Sequence, residues 1–319
     1  MNCRGAETGK GGSRAEMLNG IINVYKEAGF TSHDVVAKLR GILKQKKIGH
    51  TGTLDPDATG VLPVCLGNGT RLCDMLADKS KEYIAVMRLG VVTDTQDMSG
   101  KVLQEKEVVC SEEEVKTAIF SFEGEYSQIP PMYSALKVNG KKLYELAREG
   151  KEIERQPRQV FINEIEILSM DLPLVKFRVG CSKGTYIRTL CQDIGEKLGC
   201  GGAMDSLQRT RVGNFKLENA LTLAEIETLS KEGNISEKVI PVDFVFTALP
   251  KTVVKKEFRK RIDNGNALLT RQVTVTEGAL QEKQGTQCRV YNDEDVFCGV
   301  YEYHAEDRLW KPVKMFPIN

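Results

Sequence analysis

The sequence predicts an α+β fold: a mixed, largely antiparallel sheet with interspersed helices, then a small β-rich C-terminal module. Three observations predict it. Strand-like and helix-like segments are interspersed without regular β-α-β alternation. "QVFINEIEILSM" and "PLVKFRVGC" follow one another as two adjacent strands. A break falls near "FTALP" (Phe246 to Pro250), beyond which short strands dominate.

Taken in order, "NGIINVYK" reads as a short strand. "TSHDVVAKLRGILKQ" reads as a helix, with Ser32 as its N-cap and Val35, Val36, Leu39, Ile42 and Leu43 on one face. "GVLPVCLG" is a buried strand, and "TRLCDMLAD" a short helix capped by Thr70. "KEYIAVMRLG" alternates as a strand does. "SEEEVKTAIFSF" opens with a capping box, Ser111 with Glu114. After the adjacent strand pair, "GTYIRTLCQDIGEKLG" is a turn running into a helix. "TLAEIETLS" carries a second capping box, Thr222 with Glu225. Past the break come a basic helix, "KKEFRKRIDNG", and strands ending in "CRVYND", "VFCGVYEYH" and "LWKPVKMF". That module has about 70 residues, few for independent stability but adequate when docked.

Composition narrows the function class. Of 319 residues, 41% are hydrophobic and 28% charged, which excludes a disordered chain. Net charge is +1, so there is no uniformly basic coat, though local patches remain open. Nine cysteines without a C-x-x-C pair fit reduced thiols and a cytoplasmic protein. The three histidines, His33, His50 and His304, lie far apart, and no Cys/His spacing suits zinc. No apolar run is long enough to span a membrane. The first 17 residues, "MNCRGAETGKGGSRAEM", are expected to form a disordered tail.

Chemistry concentrates in a few stretches. "IGHTGTLDPDATGVLPV" sets Asp55 and Asp57 around a proline, just after Lys44, Lys46 and Lys47. Pro56 keeps Asp55 out of the α region, and Gly52 and Gly60 permit tight bends. By itself the loop reads either as a turn with Asx hydrogen bonds or as a functional loop on a scaffold. No Lys-Ser/Thr pair follows the glycines, so a P-loop is disfavoured. "KEYIAVMRLGVVTDTQDMSG" starts a strand with Tyr83. "QIPPMYSALKVNGKKLYELAR" interleaves Tyr133 and Tyr144 with Lys137, Lys141, Lys142 and Arg148. Cations hold phosphate and aromatic faces hold bases, which suits single-stranded or looped RNA. In "CSKGTYIRTLCQDIG", Arg188 follows a glycine turn near a helix start, where its guanidinium can meet a carboxylate in a bidentate pair.

Together these stretches resemble the TruB family of bacterial tRNA pseudouridine synthases. "GHTGTLDPDATGVLPVCLG" is similar to the family's catalytic motif, and "LQRTRVGNF" follows the other three motifs in the family's order. The chain departs at Lys26-Glu27, where the family usually has Lys-Pro, and at "LQRTR", where "LRR" is common. The resemblance implies the pseudouridine synthase fold, with a catalytic domain over 18–246 and a PUA-like RNA-binding module over 247–319. It implies isomerisation of uridine 55 in the tRNA T arm, without cofactor or metal. Asp55 would be the nucleophile, with Tyr83 and Arg188 as further catalytic residues. His50, Tyr83, Tyr186 and Leu207 would surround the flipped base, and Arg188 would pair with Asp55. The partner would be the tRNA T stem-loop, with no guide RNA and no membrane, and the protein a monomer. A T-arm-opening tRNA chaperone is the alternative. The C-terminal cations Lys255, Lys256, Arg259, Lys260 and Arg261 are placed to meet phosphate.

Overall fold

A computed structural model of the chain describes residues 17–138 and 140–316. The expected tail therefore lies outside the described residues, apart from exposed Met17.

A nine-stranded sheet forms the body. From one edge its path runs Gly20–Lys26, Thr59–Leu66, Gly202–Val212, Lys81–Leu89, Leu174–Cys181, Arg158–Asp171 and Gly124–Gln128. Every pairing along it is antiparallel except that of Gly202–Val212 with Thr59–Leu66. The sheet is thus mixed and largely antiparallel, as the sequence predicts.

Side-chain pattern explains which strand lies where. Lys81–Leu89 alternates buried and half-buried residues, and its buried Tyr83, Ala85, Met87 and Leu89 join one core under the helices. From Val61 to Leu66 the strand is apolar throughout because both its faces are covered. Leu62, Val64 and Leu66 pack beneath the helix Ser32–Ile42, while Val61 and Cys65 enter the opposite core.

Both predicted capping boxes are present, at Ser111 with Glu114 and Thr222 with Glu225. Two caps are corrected. Thr31, not Ser32, caps the first helix, since its hydroxyl accepts from the Asp34 N–H while the Asp34 carboxylate accepts from the Thr31 N–H. Thr70 caps nothing: Gly67–Leu72 is a 3-10 segment, and the helix begins at Cys73.

The central strand Gly202–Val212 had no signal in the sequence reading. Its run "DSLQRT" is polar, yet the strand bridges the two halves of the sheet and buries Arg209. Gly60 sits where that parallel contact is made. With φ at 107°, a Cβ there would lie 2.2 Å from the Arg209 carbonyl oxygen. Gly60→Ala is expected to cost at least about 2 kcal/mol, because backbone must move on both strands. Urea unfolding measures it.

The C-terminal sheet has five strands, in the order Val273–Glu277, Lys251–Val254, Gln287–Tyr291, Phe297–His304 and Leu309–Met315. It is docked rather than free. Phe297 and Phe316 pack on Phe246, and Arg71 donates to the Met315 carbonyl. The predicted basic helix shrinks to a 3-10 turn at Lys256–Phe258 and a short helix, Arg259–Asp263.

Candidate active site

Asp55 lies on the loop 51–58, between the strands Ile48–His50 and Thr59–Leu66. Several bonds fix that loop. Buried Lys26 donates from Nζ to the carbonyls of Pro56 (2.8 Å), Phe30 (2.6 Å) and Glu27 (3.0 Å). The Gly29 N–H donates to Pro56 as well, at 3.0 Å. Ser32, released from capping, accepts from the Leu54 N–H at 3.0 Å. Arg209 donates from Nε to the Val61 carbonyl at 2.7 Å, with longer bonds to Thr53 and Gly52. Leu54 anchors the loop in the main core, and Ala58 N–H closes a turn on the Asp55 carbonyl.

The carboxylate meets Arg188 in a two-point pair. Arg188 Nε lies 3.0 Å from Asp55 Oδ2, and Nη2 donates to Oδ1 at 3.1 Å. The arginine side chain is 6% exposed, whereas that of Asp55 is 36% exposed and reaches open space. Arg188 is the second residue of the helix Ile187–Lys197. A cation there opposes the helix dipole, so the position needs an anion to justify it. Asp55 supplies one. Two further guanidinium hydrogens go to the carbonyls of Thr95 (3.2 Å) and Tyr133 (2.9 Å), with Asp97 3.8 Å away.

Burial pushes the Asp55 carboxyl above the usual carboxylate range; Arg188 and, more weakly, Lys26 pull it back, while Asp97 adds to the rise. Burial brings Lys26 down to about 8, against the opposing pull of Asp55 and Asp57. Asp57 itself is exposed.

The other expected residues divide. Tyr83 is buried on its strand, and burial pushes its phenol up to about 12, with Arg209 working against the rise. Leu207 pairs across from Ala85 and packs on the core that holds Tyr83 and Leu54. Tyr186 is half-buried at the N-cap of the Arg188 helix, and burial raises its phenol too. Asp55, Arg188, Tyr83, Tyr186 and Leu207 thus belong to one neighbourhood. His50 stands at its margin. Its Nδ1 accepts from the Gly52 N–H at 3.3 Å, and its ring meets His33 edge-on at 5.5 Å. Burial, with His33 assisting, lowers its pKa and favours a neutral imidazole.

The sequence reading missed Lys26, Arg209 and Asp97. Lys26 sat in the stretch set aside as a departure, yet its side chain holds the Asp55 loop. Arg209 lay inside an unrecognised strand. Asp97 lies in "VVTDTQDMSG", where nothing in the local pattern points to Arg188. Lys26→Met would take a donor from the carbonyls of Glu27, Phe30 and Pro56, of which Pro56 keeps the Gly29 N–H, and is expected to cost about 1–2 kcal/mol in urea unfolding.

In the segment with Tyr133 and Tyr144, two cations lie near one ring: Lys142 Nζ is 5.3 Å and the Arg148 guanidinium 5.4 Å from the Tyr144 ring centre. Lys137, Lys141 and Arg148 are exposed. In the C-terminal module Arg259 pairs with Asp293 and Glu294 at 3.1 and 2.8 Å, whereas Lys255, Lys256 and Lys260 are exposed. Among the described residues no cluster of His, Cys, Asp and Glu is arranged to hold a metal, and no helix is long and apolar enough to cross a membrane.

Comparison with known proteins gives the family. Residues 40–187 match the family model described as TruB family pseudouridylate synthase (N terminal domain), and 188–247 that of the tRNA pseudouridylate synthase B C-terminal domain. The chain is 57% identical over 308 residues to tRNA pseudouridine synthase B of Lachnoclostridium phytofermentans, covering 94% of this chain and 100% of the relative. It is 48% identical to the protein of that name from Clostridium acetobutylicum, over 89% and 95% of the two chains. Among solved structures, a chain of a Cbf5-Nop10-Gar1 complex superposes with a TM-score of 0.70 at 30% identity, covering 94% of this chain and 86% of that one. A chain of an H/ACA RNP bound to a substrate RNA containing 2'-deoxyuridine gives 0.69 at 28% identity, over 94% and 85%. With its mixed sheet, its Asp55 loop and its matching relatives, the chain belongs to the TruB family of pseudouridine synthases.

Proposed function

We propose that this enzyme converts uridine 55 of the tRNA T arm to pseudouridine, acting alone on the RNA. The two-point pairing of Asp55 with buried Arg188, beside Tyr83, Tyr186 and Leu207, carries the reading. A stacked uridine hides its glycosidic bond, so the base must flip out. In the site, the Asp55 carboxylate faces C1′. It either adds to an oxocarbenium-like C1′, as in retaining glycosidases, or takes a proton from C2′ to give a glycal. The C1′–N1 bond breaks, the freed uracil turns, and C5 bonds to C1′, displacing the Asp55 carboxylate on the first route or with the proton returned to C2′ on the second; the C5 proton then leaves and N1 takes one up. Tyr83 gives a ring to stack on and a hydroxyl for proton traffic. Tyr186 gives a second ring and a hydrogen bond. Leu207 walls the base from water. His50, neutral at the margin, fills the stack the uridine leaves. Nothing in this sequence of bonds requires a redox carrier.

The test is direct. Purified protein alone, with an unmodified tRNA transcript, should place pseudouridine at position 55. Modification elsewhere, or only with an added guide RNA, would overturn the reading.

We assign residues 247–319 to RNA binding as a module. Because Phe246, Phe297 and Phe316 share a core, deleting it would uncover apolar surface. Charge reversal is the cleaner experiment. Lys255→Glu with Lys256→Glu and Lys260→Glu should weaken tRNA binding and flatten its dependence on salt, leaving the single-turnover rate at saturating enzyme within about threefold. An unchanged salt slope would remove these lysines from the interface.

A further inference from the structure

Gln128 ends the edge strand Gly124–Gln128 and is 1% exposed. Its side chain makes two hydrogen bonds to Tyr186 and also meets the Tyr126 hydroxyl. The Tyr186 N–H donates to Gln128 Oε1 at 2.8 Å, and Gln128 Nε2 donates to the Tyr186 carbonyl at 2.9 Å. That amide copies a rung of a β-ladder with a side chain in place of a backbone.

The local chemistry explains why a side chain is used. Tyr186 holds the N-cap position but makes no side-chain cap bond. The start of the helix therefore lacks the hydroxyl or carboxylate that usually steadies it. Backbone cannot take over from the arm, because Pro130 and Pro131 follow almost at once and carry no N–H. The Tyr186 carbonyl already accepts the first helical bond, from the Leu190 N–H at 3.1 Å, and Gln128 adds a second donor. Two residues back on the same face, Tyr126 hydrogen-bonds Asp193 further along the same helix. The edge strand thus holds this helix at two points.

The consequence reaches the site. Arg188 is two residues beyond Tyr186, and its Nη2 donates to the Tyr133 carbonyl, five residues beyond Gln128. Gln128 therefore sits at the joint between the basic arm and the arginine that pairs with Asp55. We propose that Gln128 is a positioning residue: its amide sets the place of the Tyr186 ring and of Arg188, and so the direction of the Asp55 carboxylate. This rests on the reading of Asp55 and Arg188 as the reacting pair.

The experiment compares the full-length chain with Gln128→Met and Gln128→Glu. Methionine fills the same volume and makes neither bond. Glutamate keeps the acceptor for the Tyr186 N–H and loses the donor. Single-turnover pseudouridine formation should fall about tenfold to a hundredfold in Gln128→Met, the scale of a small misplacement at a reacting centre. Gln128→Glu, which sets a buried carboxylate against the Tyr186 carbonyl, should fall at least as far. In both, tRNA affinity should stay within about threefold, and the acid limb of the rate profile should move to higher pH, because Asp55 is paired less well. A rate within about twofold of the unchanged chain overturns the proposal. So does a slow but folded variant whose acid limb has not moved, since a merely structural role would do that. Should Gln128→Met fail to fold, Gln128→Glu decides by the same two readouts. If the unchanged chain itself makes no pseudouridine, the functional reading fails instead, and the two failures are told apart.

Discussion

Asp55→Asn is expected to bind tRNA as the unchanged chain does and to form no measurable pseudouridine. The substitution keeps size and shape and removes the anion. The chemistry at C1′ needs that anion by either route, since an amide is neither a useful nucleophile for an oxocarbenium-like carbon nor a base for C2′. A loss of at least about a thousandfold is the scale seen when the group that attacks is removed. On the proposed reading the affinity comes chiefly from cations that hold phosphate rather than from this carboxylate, so the binding isotherm should change by less than about threefold. Asp57→Asn is the internal control. Asp57 is exposed on the same loop and has no part in the arginine pair, so its rate should hold within about threefold. Pseudouridine formed by Asp55→Asn at the ordinary rate would move the chemistry off this residue. Inactivation by the Asp57 change alone would move it two residues along.

Arg188→Met is expected to lose about a hundredfold to a thousandfold in single turnover, with near-normal affinity for tRNA. Two effects add. First, the two-point pair fixes the direction of the carboxylate, and methionine leaves it free to rotate. Second, the guanidinium offsets the desolvation that raises the Asp55 pKa. The sign follows. A carboxylate is active when ionised, and ionisation is lost as pH falls through its folded pKa. That pKa already lies above the ordinary carboxylate value, so the acid limb of the unchanged enzyme should stand above the ordinary range. Without Arg188 it should move higher still. Arg188→Lys restores charge without the planar fork, and should recover part of the pH shift and less of the rate. The opposite pattern would make Arg188 a phosphate contact: weaker binding, a shallower salt slope and an intact single-turnover rate.

Much of the fold was legible because its periodicities are local. Lys81–Leu89 alternates, the run from Val61 to Leu66 is apolar throughout, and Ser111 and Thr222 stand three residues before their glutamates. Each feature is set by neighbours a few positions away. The Ser32 cap was misplaced by one residue because Thr31 is an equally good cap, and only the Leu54 N–H claims the Ser32 hydroxyl. Gly202–Val212 was illegible for a different reason. Its polar residues look like a surface loop until Val61, Thr53 and Gly52 offer carbonyls to Arg209.

By itself the sequence determined the α+β class, the family, and the stretches where Asp55, Tyr83, Tyr186, Arg188 and Leu207 would lie. Motifs carry that information because they are contiguous. The tertiary structure alone decided what holds the site in place. Asp55 and Arg188 are 133 residues apart in the chain, Lys26 and Pro56 are 30, and Gln128 and Tyr186 are 58. Such pairs leave no period in the sequence. They form only when the sheet closes, because a buried cation or amide must find its partners within hydrogen-bond distance wherever the fold provides them.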